Sequence, residues 1–186
     1  MIIQGIDYKV PPAGKVKNVI TGKNEKRPII TSSSKKEKQV WIRTELPKDY
    51  QKKRSEEILK QKEDPNYFDT ELEAFRSQEW DRRLNGVWFM NNGGPEYLTG
   101  LHYFFLNWWC IDVGYPSFRK TDQEYFYFLQ FCIEDPNCLG MIELTKRRQG
   151  KTVRAGCFMF DLISRSKSKN GGIQSKTAMD AKNNVF

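Results

Sequence analysis

The chain has 186 residues, with a net charge of +8, 29% charged residues and 13% aromatic residues. This length can bury a core, and this composition excludes a chain that is disordered throughout. Polar residues interrupt every long apolar stretch, and the N-terminus lacks a secretory signal pattern, so we expect neither a membrane span nor secretion.

The charge is unevenly distributed along the chain. Residues 1–60 carry 15 basic and 7 acidic groups (+8), residues 61–138 carry 6 and 13 (−7), and residues 139–186 carry 10 and 3 (+7). Two basic ends suit contact with the phosphates of a nucleotide or a nucleic acid. For the first 60 residues a solvated arm is the alternative.

Four cysteines without metal-ligand spacing are predicted to be reduced core residues.

Residues 1–40 are rich in Lys, Ser, Gly and Pro without a sustained period, which predicts a basic flexible arm. Residues 41–138 are predicted to form a segment of helices and one hairpin. Pro47 opens a charged helix that continues through Glu63 and is lightly anchored by Ile58 and Leu59.

Thr70 and Glu73 form a capping-box pattern that predicts the start of a second helix, ending at Gly86. Its predicted inner side carries Leu72, Phe75, Trp80 and Leu84. Residues 87–100 then place an Asn/Gly/Pro turn between two β-prone runs, which is typical of a hairpin.

The aromatic run 103–109 is interpreted as core, with a base-stacking platform as the alternative. His102, the only histidine, is expected to pack within it. A further helix is predicted after Pro116, with Thr121 as its N-cap, and residues 135–137 end it. Its predicted inward residues are Tyr125, Phe128, Leu129 and Cys132.

Residues 139–144 form a short apolar run, which predicts a buried parallel strand. A loop follows, and then a helix with a stripe of Val153, Cys157, Phe158 and Leu162. A second strand near residues 173–177 is predicted to lead into a helix near Ala178. Strand, loop and helix in this order predict an α/β fold of the P-loop NTPase class for residues 139–186.

The loop ends in Gly150, Lys151 and Thr152. Glycine allows close approach to a phosphate, lysine reaches the β- and γ-phosphates of ATP, and the threonine hydroxyl can bind Mg²⁺. A purely structural helical turn is the alternative, since Gly-Lys-Thr alone is a weak signal.

Several blocks of the sequence, in order, resemble the large terminase subunits of tailed double-stranded DNA phages, closest to those of crAss-like and related phages. The blocks are residues 82–109, residues 118–128, the loop ELTKRRQGKT and residues 171–181. The resemblance covers roughly residues 40–186. The first glycine of the usual P-loop is replaced by Thr145, as it often is in terminases.

The resemblance implies roles for particular residues. Gln149, Gly150, Lys151 and Thr152 would form the nucleotide loop, with Thr152 on Mg²⁺, and Arg147 would move against the γ-phosphate during catalysis. Arg148 is a weaker candidate for that role. Gln123 would read the adenine edge and Phe118 would stack on the base, although a solvated Gln123 is the alternative. Ser175 and Lys176 would contact DNA or relay the nucleotide state.

No apolar strand ending in Asp-Glu is present to activate water, and no nuclease carboxylate cluster is found. We therefore expect an N-terminal fragment of a longer reading frame, inactive by itself. The resemblance implies a full-length ATPase ring in the host cytoplasm at the procapsid, with double-stranded DNA, the portal protein and the small terminase subunit as partners. The alternatives are another helicase-like P-loop ATPase and a non-catalytic basic nucleic-acid-binding or virion protein.

Overall fold

The computed structural model describes residues 41–91, 94–145 and 149–172, together with the backbone of four short strands nearer the N-terminus. The chain divides into two compact units, Met1–Tyr103 and Phe104–Phe186. It is a mixed helix and strand protein. The strands are β1 (Ile2–Ile3), β2 (Ile6–Asp7), β3 (Val16–Lys17), β4 (Asn24–Glu25), β5 (Val87–Asn91) and β6 (Gly94–Leu98); the helices are α1 (Tyr50–Gln61), α2 (Thr70–Asn85), α3 (Gly100–Asn107), α4 (Lys120–Glu134) and α5 (Lys151–Ser164). None of the helices in the described residues has the length and apolar character needed to cross a bilayer.

The predicted flexible arm contains secondary structure. Strand β1 pairs antiparallel with β2, and β3 pairs antiparallel with β4, each pair being two residues long. An antiparallel pair needs only a local turn between its two strands. Such pairs can therefore form in a segment that lacks a sustained hydrophobic period, which is the feature on which the prediction of a flexible arm depends.

Helices α1 and α2 confirm the two helices predicted in this part of the first unit, but their anchors differ. Ile58 and Leu59 are exposed, and the buried residue of α1 is Glu57. The N-cap of α2 is Asp69, whose side chain accepts hydrogen bonds from the amides of Glu71 and Leu72, so the predicted Thr70 capping box was wrong. Aspartate is as good a cap as threonine and lies one residue earlier.

The predicted inner side of α2 is only partly buried. Leu72 is fully buried, whereas Trp80 and Leu84 are exposed. Gly86 ends the helix, as predicted. Its φ is 70°, and a Cβ on this residue would lie 2.1 Å from the carbonyl oxygen of Leu98. The close approach to β6 therefore requires glycine at this position.

The hairpin prediction is confirmed. Strands β5 and β6 pair antiparallel, with Val87 opposite Leu98 and Phe89 opposite Glu96. Val87, Phe89 and Leu98 are buried, so alternate residues of β5 face the core of the first unit.

Trp41 and Tyr103 complete the core of the first unit. The Trp41 ring makes edge-to-face contacts with Phe89 (5.4 Å between centroids) and with Tyr103 (5.7 Å). The Tyr103 hydroxyl donates a 2.6 Å hydrogen bond to Glu79, and burial together with that carboxylate raises the pKa of Tyr103. The interpretation of Tyr103 as core, rather than as a base-stacking surface, is confirmed.

His102 is completely buried, as expected, and burial lowers its pKa to about 3. In the unfolded chain the same imidazole has a pKa near 6.5 and takes up a proton at a pH where the native state does not. Stability is therefore lost as the pH falls below 6.5, down to about 3. Between pH 7 and pH 5 we expect a loss of about 2 kcal/mol from this group.

Chemical denaturation at pH 7 and pH 5 measures this loss. Since the chain has a single histidine, a His102→Leu variant should show a much smaller difference between the two pH values, whatever its absolute stability. A wild-type protein equally stable at pH 7 and pH 5 would contradict the expectation.

The second unit packs aromatic residues around α4. Phe105 lies 5.2 Å from Phe126, and Phe104 stacks on Phe160 of α5 at 6.0 Å. Helix α4 ends before Asp135, as predicted, but its N-cap is Arg119 rather than Thr121.

The buried side of α4 also differs from the predicted one. Its buried residues are Asp122, Gln123, Phe126, Tyr127 and Leu129, so only Leu129 of the predicted inward set is buried. Tyr125, Phe128 and Cys132 are half-buried. Because Asp122 and Gln123 in the first turn of α4 are buried, the buried face of this helix differs from the face that its apolar residues predict. Hydrophobic periodicity cannot detect buried polar residues.

The predicted strand at residues 139–144 does not form. Residues 138–145 have neither helical nor strand structure, and the side chains of Leu139, Ile142 and Leu144 are exposed. A strand requires a hydrogen-bonded neighbour, and no strand in the described part of the second unit pairs with this segment. The predicted second strand and the helix near Ala178 lie outside the described residues.

Helix α5 confirms the helix predicted after the loop. Its buried residues are Arg154, Gly156, Cys157 and Asp161. Of the predicted stripe, Cys157 is buried, and Val153 and Phe158 are half-buried. Leu162 is exposed. Charged residues occupy this face because each has an ionic partner: Asp161 pairs with Arg165 at 2.6 Å, and Arg154 pairs with two carboxylates.

Candidate functional site

The Gly-Lys-Thr tripeptide lies at the N-terminus of α5. Gly150 is the N-cap, with φ 75° and ψ 23°, and Lys151 and Thr152 are the first two helical residues. Both side chains are exposed. Glycine has no side chain with which to cap the amides of the first turn. The start of this fourteen-residue helix therefore presents N–H groups and the positive end of a helix dipole beside a lysine and a hydroxyl.

Lys151 also contacts the far side of the loop. Its Nζ lies 3.5 Å from the carbonyl oxygen of Thr145, which is at the long limit for a hydrogen bond. Thr145 occupies the position of the usual first glycine of a P-loop. The described residues on the two sides of the loop, Thr145 before it and Lys151 after it, are therefore in contact.

The other predicted site residues have different surroundings. Gln149 and Phe118 are half-buried, and Gln123 is buried rather than solvated. The residue before it, Asp122, contacts Arg154, so the turn that carries Gln123 lies beside the start of α5. Arg147, Arg148, Ser175 and Lys176 lie outside the described residues.

A buried arginine lies one turn into α5. The guanidinium of Arg154 donates to Asp122 at 3.2 Å and to Glu143 at 2.5 Å, and it packs over the ring of Tyr125 at 4.3 Å from the centroid. Burial is the main cause that raises the pKa of Tyr125, and the nearby Glu143 carboxylate acts in the same direction. Arg154 therefore connects three parts of the second unit at one point.

Asp122 is held by a second arginine. Arg119 donates from Nε at 2.7 Å and from Nη2 at 2.9 Å, a bidentate pair across the start of α4. A Cβ built on Gly150 would lie 3.6 Å from the same Nη2. The Arg119 side chain is 45% exposed, so it places a fixed positive charge beside Gly150 that solvent or a ligand can reach.

Sequence reasoning missed Arg119, Asp122, Glu143 and Arg154 as a group. Two signals were present: Arg119 and Asp122 stand three residues apart at a helix start, and Arg154 interrupts an apolar helix face. Each signal is common on solvated helices. Only the tertiary contact between α4 and α5 distinguishes these residues from surface charges.

The described residues fit a phosphate ligand. The site combines a glycine in the left-handed region, exposed Lys151, the first-turn amides of α5 and the adjacent Arg119. For Mg²⁺ the protein offers the exposed Thr152 hydroxyl. In the described part of the chain no cluster of three or more His, Cys, Asp or Glu side chains could hold a metal. A Mg²⁺ ion held by this hydroxyl would also take ligands from the phosphates of a nucleotide, as Mg²⁺ commonly does.

The cysteines do not contribute to this site. All four are free: Cys157 is buried, Cys132 and Cys138 are half-buried, and Cys110 is exposed. The prediction that the cysteines are core residues holds only for Cys157.

Compared with protein-family models, with curated proteins and with solved structures, the chain matches none.

Proposed function

We propose that the chain is the ATP-binding N-terminal part of a terminase large subunit, the motor that packages double-stranded DNA into a phage capsid. The observation that carries the proposal is the position of Gly150, Lys151 and Thr152 at the start of α5, with Gly150 in the left-handed region and both side chains exposed. The ordered blocks of sequence resemblance connect this loop to terminases rather than to P-loop proteins in general.

In this proposal the residues of the chain bind and orient the nucleotide. The amides after Gly150 and the Lys151 ammonium hold the phosphates, and the Thr152 hydroxyl is a ligand of Mg²⁺. Arg147 moves against the γ-phosphate, and Gln123 and Phe118 receive the adenine. Ser175 and Lys176 contact DNA or relay the nucleotide state.

The proposal extends to the whole protein. Its fold is an additional-strand P-loop ATPase. Full-length subunits form a ring at the portal protein in the host cytoplasm and work with the small terminase subunit. The absence of regular structure at residues 139–144 favours a second candidate, a non-catalytic basic protein that binds nucleic acid or forms part of a virion.

We expect residues 1–186 to bind ATP in a Mg²⁺-dependent manner and to hydrolyse it negligibly. The phosphate ligands are present, but the sequence contains no Asp-Glu pair to activate water. Calorimetric titration with ATP, with Mg²⁺ or with excess EDTA, measures the binding, and phosphate release measures the turnover.

Two results would count against this proposal. The first is a protein that binds double-stranded DNA but no nucleotide, which is the result expected of the non-catalytic candidate. The second is steady hydrolysis by residues 1–186, since it would require a catalytic carboxylate that the proposal does not include.

A further inference from the structure

Arg154 is the most enclosed cation of the second unit's described residues. Its side chain is 4% exposed, and both of its Nη atoms are directed at carboxylates from elements other than its own helix. Asp122 belongs to α4, and Glu143 belongs to the segment that enters the loop. Because the guanidinium is planar and its donors have fixed directions, it constrains the relative placement of both partners.

A gain in folding stability is a poor explanation for this buried cluster of charges. Removing charged groups from water offsets most of the attraction between them, and buried ion pairs can often be replaced by apolar residues of similar volume without loss of stability. What an apolar replacement does not reproduce is a fixed direction between three segments. The cluster is therefore better explained by the geometry that it imposes.

The cluster joins the two segments that flank the loop, one before Thr145 and one after Gly150. Glu143 lies two residues before Thr145, and Arg154 lies three residues after Lys151, so their 2.5 Å contact closes the chain around the loop. The Lys151 contact with the Thr145 carbonyl joins the same flanks closer to the loop. Among described residues, no helix or strand extends through 138–145 to hold the entering flank in place.

Asp122 provides the fixed point of this arrangement. It is 1% exposed, lies on a fifteen-residue helix, and is held in a bidentate pair by Arg119. Arg154 thus holds the first turn of α5 in a fixed position relative to α4. Through its contact with Glu143 it also holds the segment that enters the loop, residues 138–145.

We infer that Arg154 is a positioning residue for the phosphate-binding loop, which it shapes by joining Glu143, before the loop, to Asp122 on α4. The inference rests on the proposed function, because it deepens the account of the same site. Arg154 does not itself contact the phosphates in this account. It holds Thr145, Gly150 and Lys151 in the arrangement that binds them.

The test compares three variants of residues 1–186. Arg154→Lys keeps the charge but loses the planar fork, and Glu143→Gln keeps the shape but removes one carboxylate. Arg165→Lys is the matched control, because Arg165 also pairs with a buried carboxylate, Asp161, at the other end of the same helix. The readouts are the Kd for Mg·ATP, the melting temperature, and amide hydrogen exchange in peptides covering residues 141–145 and 149–153 without nucleotide.

We expect Arg154→Lys and Glu143→Gln to weaken Mg·ATP binding about tenfold and to speed exchange in both peptides. The control should change neither, even where its melting temperature falls as much. Glu143→Gln keeps the test decisive if Arg154→Lys does not fold, since Glu143 is partly exposed. Unchanged exchange and unchanged affinity in a folded variant would overturn the inference.

The exchange measurement separates this inference from the proposed function. If the wild type binds no Mg·ATP but the two variants still speed exchange at both flanks, the nucleotide proposal fails and the positioning role stands. If the wild type binds Mg·ATP and the variants bind it equally well with unchanged exchange, the positioning role fails and the nucleotide proposal stands.

Discussion

Replacing Lys151 by alanine should abolish measurable binding of Mg·ATP by residues 1–186. The ammonium is exposed at the first position of α5, where it can reach a phosphate held by the helix amides. A hydrogen bond to a charged group contributes about 1.5–3 kcal/mol, so its loss weakens binding by about 10- to 150-fold. On a weak starting affinity such a loss exceeds the range of a calorimetric titration.

Lys167→Ala is the matched control for this experiment. Lys167 is also exposed and lies beyond the other end of α5, so its removal changes the net charge equally. Both variants should stay within about 0.5 kcal/mol of the wild type in stability, as exposed substitutions usually do. If Lys151→Ala and Lys167→Ala weaken binding by the same factor, the nucleotide is held by general charge and not by this loop.

Replacing Glu57 by alanine should cause the largest loss of stability among the acidic residues of the first unit. Glu57 is 1% exposed and accepts hydrogen bonds from Arg76 at 2.9 and 2.6 Å, from Arg54 at 2.7 Å, and from the amide of Asp69 at 3.1 Å. The carboxylate thereby joins α1 to the N-cap of α2. Its removal leaves Arg76 without its main ionic partner, and we expect a cost of about 2–4 kcal/mol.

The neighbouring Glu56 offers the control, since Glu56→Ala removes the same atoms from an exposed position of the same helix. Its effect should stay within about 0.5 kcal/mol in urea denaturation at pH 7. Equal losses for Glu56→Ala and Glu57→Ala would show that helix propensity, not the ionic cluster, sets the effect.

The pH dependence gives a second check on Glu57. Its hydrogen bonds with Arg76 are the main cause that lowers its pKa from 4.5 to about 2. A depressed carboxyl pKa stabilises the native state above the unfolded value, and this stability is lost as the pH falls from about 4.5 to 2. The window overlaps the lower part of the His102 window, which runs from pH 6.5 down to about 3, so only the interval between pH 7 and 5 reports His102 by itself. Glu57→Ala should remove part of the acid sensitivity below pH 4.5 and leave the change between pH 7 and 5 intact.

The sequence alone located α1, α2, the β5–β6 hairpin, α4 and α5, but it did not predict α3 or the four short strands β1 to β4. Charged runs bounded by proline and glycine located α1 and α2, the Asn/Gly/Pro turn located the hairpin, and the apolar period located α4 and α5. These signals are local, because a turn or a helix end depends on residues within a few positions of it. The same locality made Gly150-Lys151-Thr152 readable as the start of a helix, a prediction that the structure confirms.

Only the tertiary structure decided which faces are buried, and it placed charges inside. Glu57, Asp122 and Arg154 occupy buried positions, where a hydrophobic pattern predicts apolar residues. A charge can be buried only when partners from elsewhere in the chain surround it, and single-segment patterns contain no information on such partners. Residues 139–144 show the converse: this apolar run has no strand structure, and among the described residues no neighbouring strand pairs with it. A strand, unlike a helix, cannot satisfy its own backbone hydrogen bonds.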